Sequence, residues 1–389
     1  MLSLAPEPVD RAVLEAARAP FAAFGERTGA GWTDAPTLQP LSLLLDLAGE
    51  AMRARLFVVT GEGGEELALR PDFTVSLARA FAASGETEGR WLYEGPAFRS
   101  QPRGSDRPSE FLQLGVELFG AAADPAAEDA QIAALAWTAS AAGGRRDLSL
   151  LFGDVALFGG FLRALALPEA AQGRLHRAFA GGRSVRAELD RLADGRAAQR
   201  EGDGRLAALL TDLPEAEAAS ALEEVWRLAG IQPVGGRGTA EIVHRLVERA
   251  EAERAPRVSA AERDLIGRFL AIRAAPAEAL DHAQALAREA GGGLDPLNEA
   301  WRRRLNGLAE GGVPADAVTL DCGLARPFGY YDGMLFEVRS AALGNAAVAA
   351  GGRSDGLVAR LGGAATPSVG CMVRPGRAAA QGANGRGGA

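Results

Sequence analysis

Apolar positions in this chain recur with two different spacings. Short apolar or alternating runs predict β-strands at residues 56–60, 66–70, 91–98, 111–119, 147–154, 317–323, 333–340 and 346–351. Residues 61–65 contain three glycines and separate the first two runs, which predicts a hairpin. A helical spacing predicts helices over residues 9–25, with Asp10 as the cap, and over residues 41–53.

The helical spacing dominates a long central segment. Residues 157–312 are rich in Ala, Arg and Glu and have few β-branched runs, which predicts an inserted α-helical domain. Predicted strands flank this segment on both sides. We therefore expect residues 1–156 and 313–378 to form the first and second parts of one core. Residues 379–389 are of low complexity and predict a disordered tail.

Composition and charge narrow the class of protein. The chain has 389 residues, 48% of them hydrophobic and 24% charged, as in an ordinary globular protein. A net charge of −8 argues against a protein that wraps nucleic acid with a basic face. No apolar run approaches the length of a membrane span, and the N-terminus does not resemble a secretory signal. We expect a cytoplasmic protein in which Cys322 and Cys371 are buried free thiols.

The basic residues exclude several kinds of cofactor chemistry. All 42 of them are arginine, and the absence of lysine excludes pyridoxal phosphate, Schiff-base catalysis and the P-loop. We predict no cofactor. The three histidines (His176, His244 and His282) lack the spacing of a metal site, so no metal is predicted either.

One hydrolase motif is present but lacks its partner. Residues 352–356 read GRSDG, which matches the G-x-S-x-G nucleophile elbow around Ser354. The histidine of that catalytic triad must follow the serine, and none follows His282. The motif therefore predicts only a strand that leaves into a glycine-rich turn.

The richest polar cluster lies within residues 69–119. It begins LRPDFT and continues with two predicted strands around a loop. That loop carries Arg99, Arg103 and Arg107, three cations within nine residues. Such a concentration of polar groups between apolar runs is typical of a place where a charged small molecule is held.

Two carboxylates in this segment lie close to apolar runs. Asp72 and Glu117 would be costly there if unpaired, and Thr74 and Gln113 add neutral hydrogen-bonding groups. Together they could receive a ligand's ammonium or imidazolium group. Alternatively, neighbouring arginines neutralise the two acids inside the protein. The candidates for that role are Arg70, Arg79 and Arg99. The pattern alone does not choose between the two interpretations.

A second cluster reads GLARPFGYYDGMLFE over residues 323–337. Tyr330 and Tyr331 precede an apolar strand, so one ring could enter the core while the other hydroxyl faces a pocket. Arg326 could pair with a carboxylate. The alternative is a strand with two core aromatics and a surface arginine.

Five blocks of the sequence resemble, in order, the signature blocks of histidyl-tRNA synthetases. They are LRPDFT (69–74), FRSQ (98–101), QLGVE (113–117), RPFGYY (326–331) and GGRSDGL (351–357). The resemblance implies an α+β fold of the class II aminoacyl-tRNA synthetase type. In that fold an antiparallel sheet is flanked by helices, here with an inserted α-helical domain.

The resemblance also implies a histidine-like pocket. Its residues would be Asp72, Thr74, Arg99, Gln113, Glu117, Arg326, Tyr330 and Tyr331. Asp72 and Thr74 would lie near the α-amino group, and Arg326 would reach the carboxylate. Gln113 and Glu117 would flank the amino acid, with Glu117 and the second tyrosine near the imidazole.

Departures from the synthetase pattern concern ATP. Arg99 matches the arginine that grips the α-phosphate, but Gln101 stands where the synthetases have a glutamate, so a charge is lost. Ser354 replaces a tyrosine. Arg374 and Pro375 displace the glycine-rich approach to the adenine. The chain ends twelve residues after Arg377, where the synthetases continue into an anticodon-binding domain.

These departures make the chain similar to the regulatory subunits of ATP phosphoribosyltransferase, which is a glycosyltransferase. That resemblance implies a non-catalytic subunit that activates a short catalytic subunit in the first step of L-histidine biosynthesis. It also implies feedback regulation by histidine, self-association through the synthetase-like core and a hetero-oligomer, without nucleic acid or membrane as partner. The alternatives are a minimal histidine-activating ligase, which Arg99 and Arg326 would support, and a stand-alone histidine sensor.

Overall fold

The first helix shows how local sequence sets its ends. In the computed structural model, which describes residues 6–105, 107–194, 224, 258–325 and 329–379, helix α1 spans Arg11–Thr28. The Asp10 side chain accepts hydrogen bonds from the backbone N–H groups of Ala12 and Val13, as the sequence predicted. Gly29 ends the helix with a positive φ of 75°.

The described helices that follow are of very different lengths. They are α2 (Leu41–Ala48), α3 (Thr74–Ser84), α4 (Pro125–Ala141), α5 (Val155–Ala164), α6 (Glu169–Ala180), α7 (Val185–Asp194), α8 (Ala260–Leu270), α9 (Pro276–Glu289), α10 (Asp295–Glu310), α11 (Leu357–Arg360) and α12 (Pro375–Ala378). None of the described helices is long and apolar enough to cross a membrane.

The predicted helix over residues 41–53 is wrong in its second half. Gly49 has a φ of 82° and ends α2, and a 3₁₀ helix, Glu50–Arg55, follows it. Helix α3 was not predicted at all.

The strands of the described residues form two sheets. They are β1 (Gly31–Trp32), β2 (Leu38–Pro40), β3 (Val58–Thr60), β4 (Glu66–Leu69), β5 (Gly89–Phe98), β6 (Glu110–Phe119), β7 (Leu148–Asp154), β8 (Arg273–Ala274), β9 (Val318–Asp321), β10 (Met334–Ser340), β11 (Ala346–Arg353) and β12 (Ser368–Val373). Nine of them form one sheet in the order β1-β5-β6-β12-β11-β10-β7-β9-β8, and the remaining three pair as β2-β4-β3.

The large sheet is mostly antiparallel. Only the pairs β1–β5 and β7–β9 are parallel among the described strands. Helix α4 packs across β11 and β12 and also contacts α1 and α10. The small sheet contains the predicted hairpin, with β3 antiparallel to β4. The predicted α+β class, with an antiparallel sheet flanked by helices, is confirmed.

The central segment contributes to the edge of this sheet. Its described parts, residues 157–194 and 258–312, are mainly helical, and the two-residue strand β8 pairs with β9. The predicted division into domains stays a prediction, and much of the central segment (195–223 and 225–257) lies outside the described residues. Ala379, the first residue of the predicted tail, is buried and bridges to Gly144. The other tail residues, 380–389, lie outside the described part.

Candidate ligand pocket

A small cavity lies where α3 begins, between the middle strands of the large sheet and the tyrosine pair. Its lining consists of Asp72, Thr74, Tyr93, Arg99, Glu117, Tyr330, Tyr331, Ala350, Gly352, Gly370, Cys371 and Met372. The structure therefore brings together six of the eight predicted pocket residues. The two exceptions are Gln113, which does not line the cavity, and Arg326, which lies outside the described residues.

The start of α3 places two of these side chains. The helix begins at Thr74, and the Val75 N–H approaches the Asp72 carboxylate at 3.5 Å. Between them, the Phe73 ring is buried and stacks on Tyr93, with ring centroids 4.4 Å apart and planes 12° apart. Stacking of this kind fixes the segment that carries both polar side chains.

Glu117 is the more deeply buried of the two acids that line the cavity. Its carboxylate accepts a hydrogen bond of 2.6 Å from the Thr74 hydroxyl. Burial raises the pKa of Glu117 to about 8, with the nearby Asp72 adding to the rise and the Thr74 hydrogen bond opposing it. Gly370 faces Glu117 across the strand pair, and a Cβ at that glycine would overlap the carboxylate. The acid therefore fits only because its neighbour has no side chain.

The tyrosine pair closes the cavity from the other side. The two rings lie 4.6 Å apart, and both side chains are buried. The hydroxyl of Tyr330 donates towards Asp72 at 3.5 Å. The Tyr331 ring packs so closely on Gly352 that a Cβ there would lie 2.8 Å from it. The arrangement agrees with the sequence-based expectation of one packed ring and one hydroxyl at a pocket.

The cavity is narrow in this conformation. Its free volume is about 20 Å³, which is space for roughly one water molecule. A cavity that holds a ligand of benzene size needs on the order of 150 Å³. An amino acid can therefore enter only if part of the lining moves.

Gln113 is buried without using its polar atoms. It is completely inaccessible, and neither carboxamide atom has a hydrogen-bond partner among the described residues. Successive side chains of a strand alternate between faces, so Gln113 and Glu117 share one face of β6. A buried amide that makes no hydrogen bond costs roughly 1–3 kcal/mol. A polar ligand that reached the Gln113 carboxamide would therefore be stabilised by hydrogen bonds to it.

Of the arginines proposed to neutralise the acids, Arg70 is engaged elsewhere. It donates to the backbone oxygens of Ala35 and Pro96, and its guanidinium lies 3.9 Å from the Phe73 ring centroid. Burial lowers the pKa of Arg70, and Asp34 acts against that change. Arg70 therefore links the segment before β2 to strand β5.

The loop after β5 is folded around its own polar groups. Arg99 donates to the backbone oxygen of Pro71 at 2.9 Å. The Gln101 carboxamide donates to the backbone oxygens of Arg99 and Pro108, at 3.2 and 3.4 Å. The side chain that replaces the synthetase glutamate is thus used to hold the loop together.

Next to this loop, an arginine covers an aromatic ring. The Arg374 guanidinium lies 3.8 Å from the centroid of Phe111 and makes hydrogen bonds of 2.7 and 3.2 Å to Glu7. Burial lowers the pKa of Arg374 to about 10, although Glu7 opposes the change. Sequence reasoning missed Glu7, because 367 positions separate it from Arg374 and no local pattern connects them.

Two other features of the described residues have no catalytic arrangement. Ser354 of the hydrolase-like motif faces Ser368, with hydroxyl oxygens 3.0 Å apart. No group of three or more His, Cys, Asp or Glu side chains in the described part could hold a metal ion.

A much larger groove of about 1250 Å³ runs between α1 and α4, but alanine and glycine supply much of its lining. We therefore place the candidate site in the small cavity, where the pKa of the Glu117 carboxyl group is raised.

Comparison with known proteins agrees with this geometry. The family model described as histidyl-tRNA synthetase matches residues 7–234 and 239–376. An ATP phosphoribosyltransferase regulatory subunit from Brucella anthropi is 34% identical over 343 residues, which are 87% of this chain and 89% of that protein. The protein of the same name from Brucella canis is 34% identical over 342 residues, again 87% and 89%. This chain belongs to the family of ATP phosphoribosyltransferase regulatory subunits.

Solved structures of similar proteins have the same fold as this chain. One is described as an ATP phosphoribosyltransferase regulatory subunit/histidyl-tRNA synthetase from Bacillus halodurans. It has a TM-score of 0.61 and 20% identity, with 94% of this chain and 76% of that chain covered. A histidine–tRNA ligase subunit from Alicyclobacillus acidocaldarius has a TM-score of 0.51 and 25% identity, with 94% and 91% covered. The predicted resemblance is confirmed, and the regulatory-subunit interpretation is favoured over the ligase and the free sensor.

Proposed function

We propose that this chain is the non-catalytic regulatory subunit of an ATP phosphoribosyltransferase. It would bind the short catalytic subunit in the cytoplasm, activate it in the first step of L-histidine biosynthesis and transmit feedback regulation by histidine. The curated relatives that carry this name support the proposal at 34% identity. The structural observation that carries it is Arg374 lying over the ring of Phe111.

Two residues near Phe111, Arg374 and Gln101, argue against nucleotide chemistry there. A base could stack on the Phe111 ring only after displacing the Arg374 guanidinium from its hydrogen bonds to Glu7. In addition, Gln101 is neutral and bonded to backbone oxygens of its own loop. Hydrogen bonds to charged groups are worth roughly 1.5–3 kcal/mol against about 1 kcal/mol for neutral ones. Amino-acid activation on this face would lack the synthetase glutamate and would first have to displace Arg374, whereas a regulatory role requires neither.

The test combines this chain with a short catalytic subunit. We expect the two to co-purify, and we expect phosphoribosyl transfer from phosphoribosyl pyrophosphate to ATP to rise when this chain is added. Histidine-dependent exchange of pyrophosphate into ATP, measured on this chain alone, should stay at background. If the chain neither binds the catalytic subunit nor changes its rate, the proposal is wrong. Strong pyrophosphate exchange would favour the ligase instead.

We propose that histidine is the ligand of the small cavity, with Asp72 and Glu117 as acceptors for its cationic groups. Because the free volume is only about 20 Å³, binding requires part of the lining to move, and in this proposal Tyr330 and Tyr331 are the part that shifts. A ligand that binds one arrangement better biases the whole protein towards it, and couplings of this kind are typically about 1–3 kcal/mol. Movement of the tyrosines would thus link histidine binding to the partner subunit.

Calorimetry tests this assignment through protons as well as heat. At pH 7 a Glu117 with a pKa near 8 is mostly protonated, so a cationic ligand that pairs with its charged form releases a proton. We expect histidine binding heats to depend on the ionisation enthalpy of the buffer. The variant Glu117→Gln should bind more weakly and lose that dependence. Unchanged binding by Glu117→Gln would place the ligand elsewhere.

Self-association through the core is the remaining proposal. Strand β1 is the end strand of the large sheet, and Trp32 on it is 47% exposed. An exposed edge strand with a large apolar side chain is suited to pairing with another chain. We expect light scattering to give a dimer mass and Trp32→Glu to shift it towards the monomer. A monomeric wild type would exclude this surface as a dimer contact.

A further inference from the structure

The two tyrosines that close the small cavity lie in a short segment, residues 329–333, which we call the tyrosine loop. Backbone contacts hold its C-terminal end. The N–H groups of Asp332 and Gly333 donate to the oxygen of Arg353 at 3.2 and 3.4 Å, and the Gly333 oxygen accepts a hydrogen bond of 3.0 Å from the Val155 N–H. The tyrosine loop is thus fixed to the large sheet at the point where it enters β10.

The side chain of Asp332 ties the tyrosine loop to the start of α11. Its two carboxylate oxygens accept hydrogen bonds from the backbone N–H groups of Asp355 and Gly356, at 2.9 and 2.7 Å. The contact is close, since a Cβ at Gly356 would lie 3.0 Å from the carboxylate. A carboxylate is favoured at the beginning of a helix because the free N–H groups there carry partial positive charge. Asp332 therefore fastens the loop one residue after the second tyrosine.

Arg360, the last residue of α11, holds the other end of the tyrosine loop. Its guanidinium donates to the backbone oxygen of Gly329 at 2.6 Å and to that of Leu47, in α2, at 3.5 Å. Burial lowers the pKa of Arg360, and Asp332 acts against that change, so the two side chains also attract each other. The tyrosines thus lie between two points of attachment to the same short helix.

Helix α11 also contacts the opposite wall of the cavity. Leu357 and Val358 are buried, and the helix packs on α3. Just beyond α11, a Cβ at Gly363 would lie 2.9 Å from the Cβ of Ala82 on α3. The first residue of α3 is Thr74, which lines the cavity. Both the tyrosine loop and α3 therefore rest on α11.

We propose that Asp332 and Arg360 are positioning residues that hold the tyrosine loop closed over the cavity. Neither side chain lines the cavity, so both act through Tyr330 and Tyr331. A ligand of amino-acid size enters only when the loop opens, and its apparent affinity falls in proportion to the fraction of molecules that are open. The inference rests on the proposed ligand pocket, but its first test needs no ligand.

The first test uses tyrosines as reporters of loop opening. The chain has three tyrosines, and all of them line the cavity: Tyr93, Tyr330 and Tyr331. Their acetylation by N-acetylimidazole, located by mass spectrometry, therefore measures how often the cavity opens. We expect Arg360→Met to speed acetylation of the loop tyrosines at least about tenfold, since a hydrogen bond from a charged donor is lost. Asp332→Asn should also speed it, because an amide cannot accept both N–H groups.

Two controls separate loop opening from other effects. Arg302→Met removes an exposed arginine of α10 (68% exposed) and its hydrogen bond to Glu299, and it should leave the acetylation rate unchanged. Cys322 is buried and does not line the cavity, so its reaction with a thiol reagent reports unfolding. That reaction should be as slow in Arg360→Met as in the wild type.

Histidine binding to the same variants is the second test. Calorimetry should show tighter binding by Arg360→Met than by the wild type, because less of the binding energy is used to open the loop. Faster tyrosine acetylation in variants that bind no histidine would support the positioning role and show that the ligand assignment is wrong. Equal acetylation rates in the wild type and both variants would overturn the proposal. Labelling of Cys322 that quickens as much as tyrosine acetylation would also overturn it.

Discussion

Replacing Glu117 by glutamine should make the protein less sensitive to alkaline pH. The substitution keeps the size of the side chain and an oxygen that can accept the Thr74 hydrogen bond, now 2.6 Å long. It removes the only feature of the residue that changes with pH, which is the carboxyl proton. Burial raises the pKa of that carboxyl from about 4.5 to about 8.

The size of the effect follows from the shifted pKa. A folded-state value above the unfolded one means that the native state holds the proton more tightly. The resulting stability is fully present below pH 4.5 and is lost as the pH rises to about 8. Each step of one in pKa corresponds to about 1.36 kcal/mol, so the complete loss is about 5 kcal/mol. Between pH 5 and pH 9 the wild type should lose about 4 kcal/mol that the variant keeps.

Urea unfolding at pH 5, 7 and 9 measures this difference. We expect the free energy of unfolding of Glu117→Gln, relative to the wild type, to rise steadily across the three values. The variant Glu15→Gln serves as the control for removing one exposed carboxyl group. A difference between wild type and Glu117→Gln that stays constant within about 1 kcal/mol would refute the reasoning. In that case Glu117 would titrate like an ordinary surface glutamate.

Two further predictions concern buried groups away from the cavity. Asp129→Ala should cost about 3–5 kcal/mol in urea unfolding, because Arg304 and Arg353, at 2.8 and 2.7 Å, would lose their buried partner. A loss below about 1 kcal/mol would contradict that account. Cys322 and Cys371 should not react with a thiol reagent in the native protein at pH 8 but should react in urea. Burial raises the pKa of Cys322 to about 12 and that of Cys371 further. Rapid labelling of the native protein would be the contrary result.

The regular elements could be read from the sequence where the pattern was unbroken. The long strands β5 and β6 are rows of apolar residues and were predicted within two residues of their ends. Strand β12 was missed, because six residues with a central Gly370 give too short a pattern. Helix α3 was missed because it begins directly after Asp72 and Phe73, within a segment interpreted from its polar groups. Gly49 ends α2 through a positive φ that residue spacing does not reveal.

Spacing along the chain predicted the residues of the site only in part. Gln113 and Glu117 are four apart, which in a strand puts them on one face but about 13 Å from each other. Only Glu117 therefore reaches the small cavity. The contact between Glu7 and Arg374 depends on how the two ends of the chain meet on the sheet. Nothing local to either residue predicts it, because tertiary packing alone brings them together.

The surroundings of Phe111 and of Glu117, both on β6, differ in how their polar groups are satisfied. Around Phe111 the protein's own groups satisfy one another, since Arg374 covers the ring and Glu7 balances the arginine. Around Glu117 the protein retains an arrangement that costs stability, because a buried carboxyl with a pKa near 8 is destabilising once ionised. An apolar side chain of similar size would avoid that cost. A cationic ligand that paired with the ionised Glu117 carboxylate would offset part of that cost. The residue that costs the protein stability is therefore also the one best placed to stabilise such a ligand. The proposed amino-acid pocket around Glu117 therefore does not depend on the groups around Phe111.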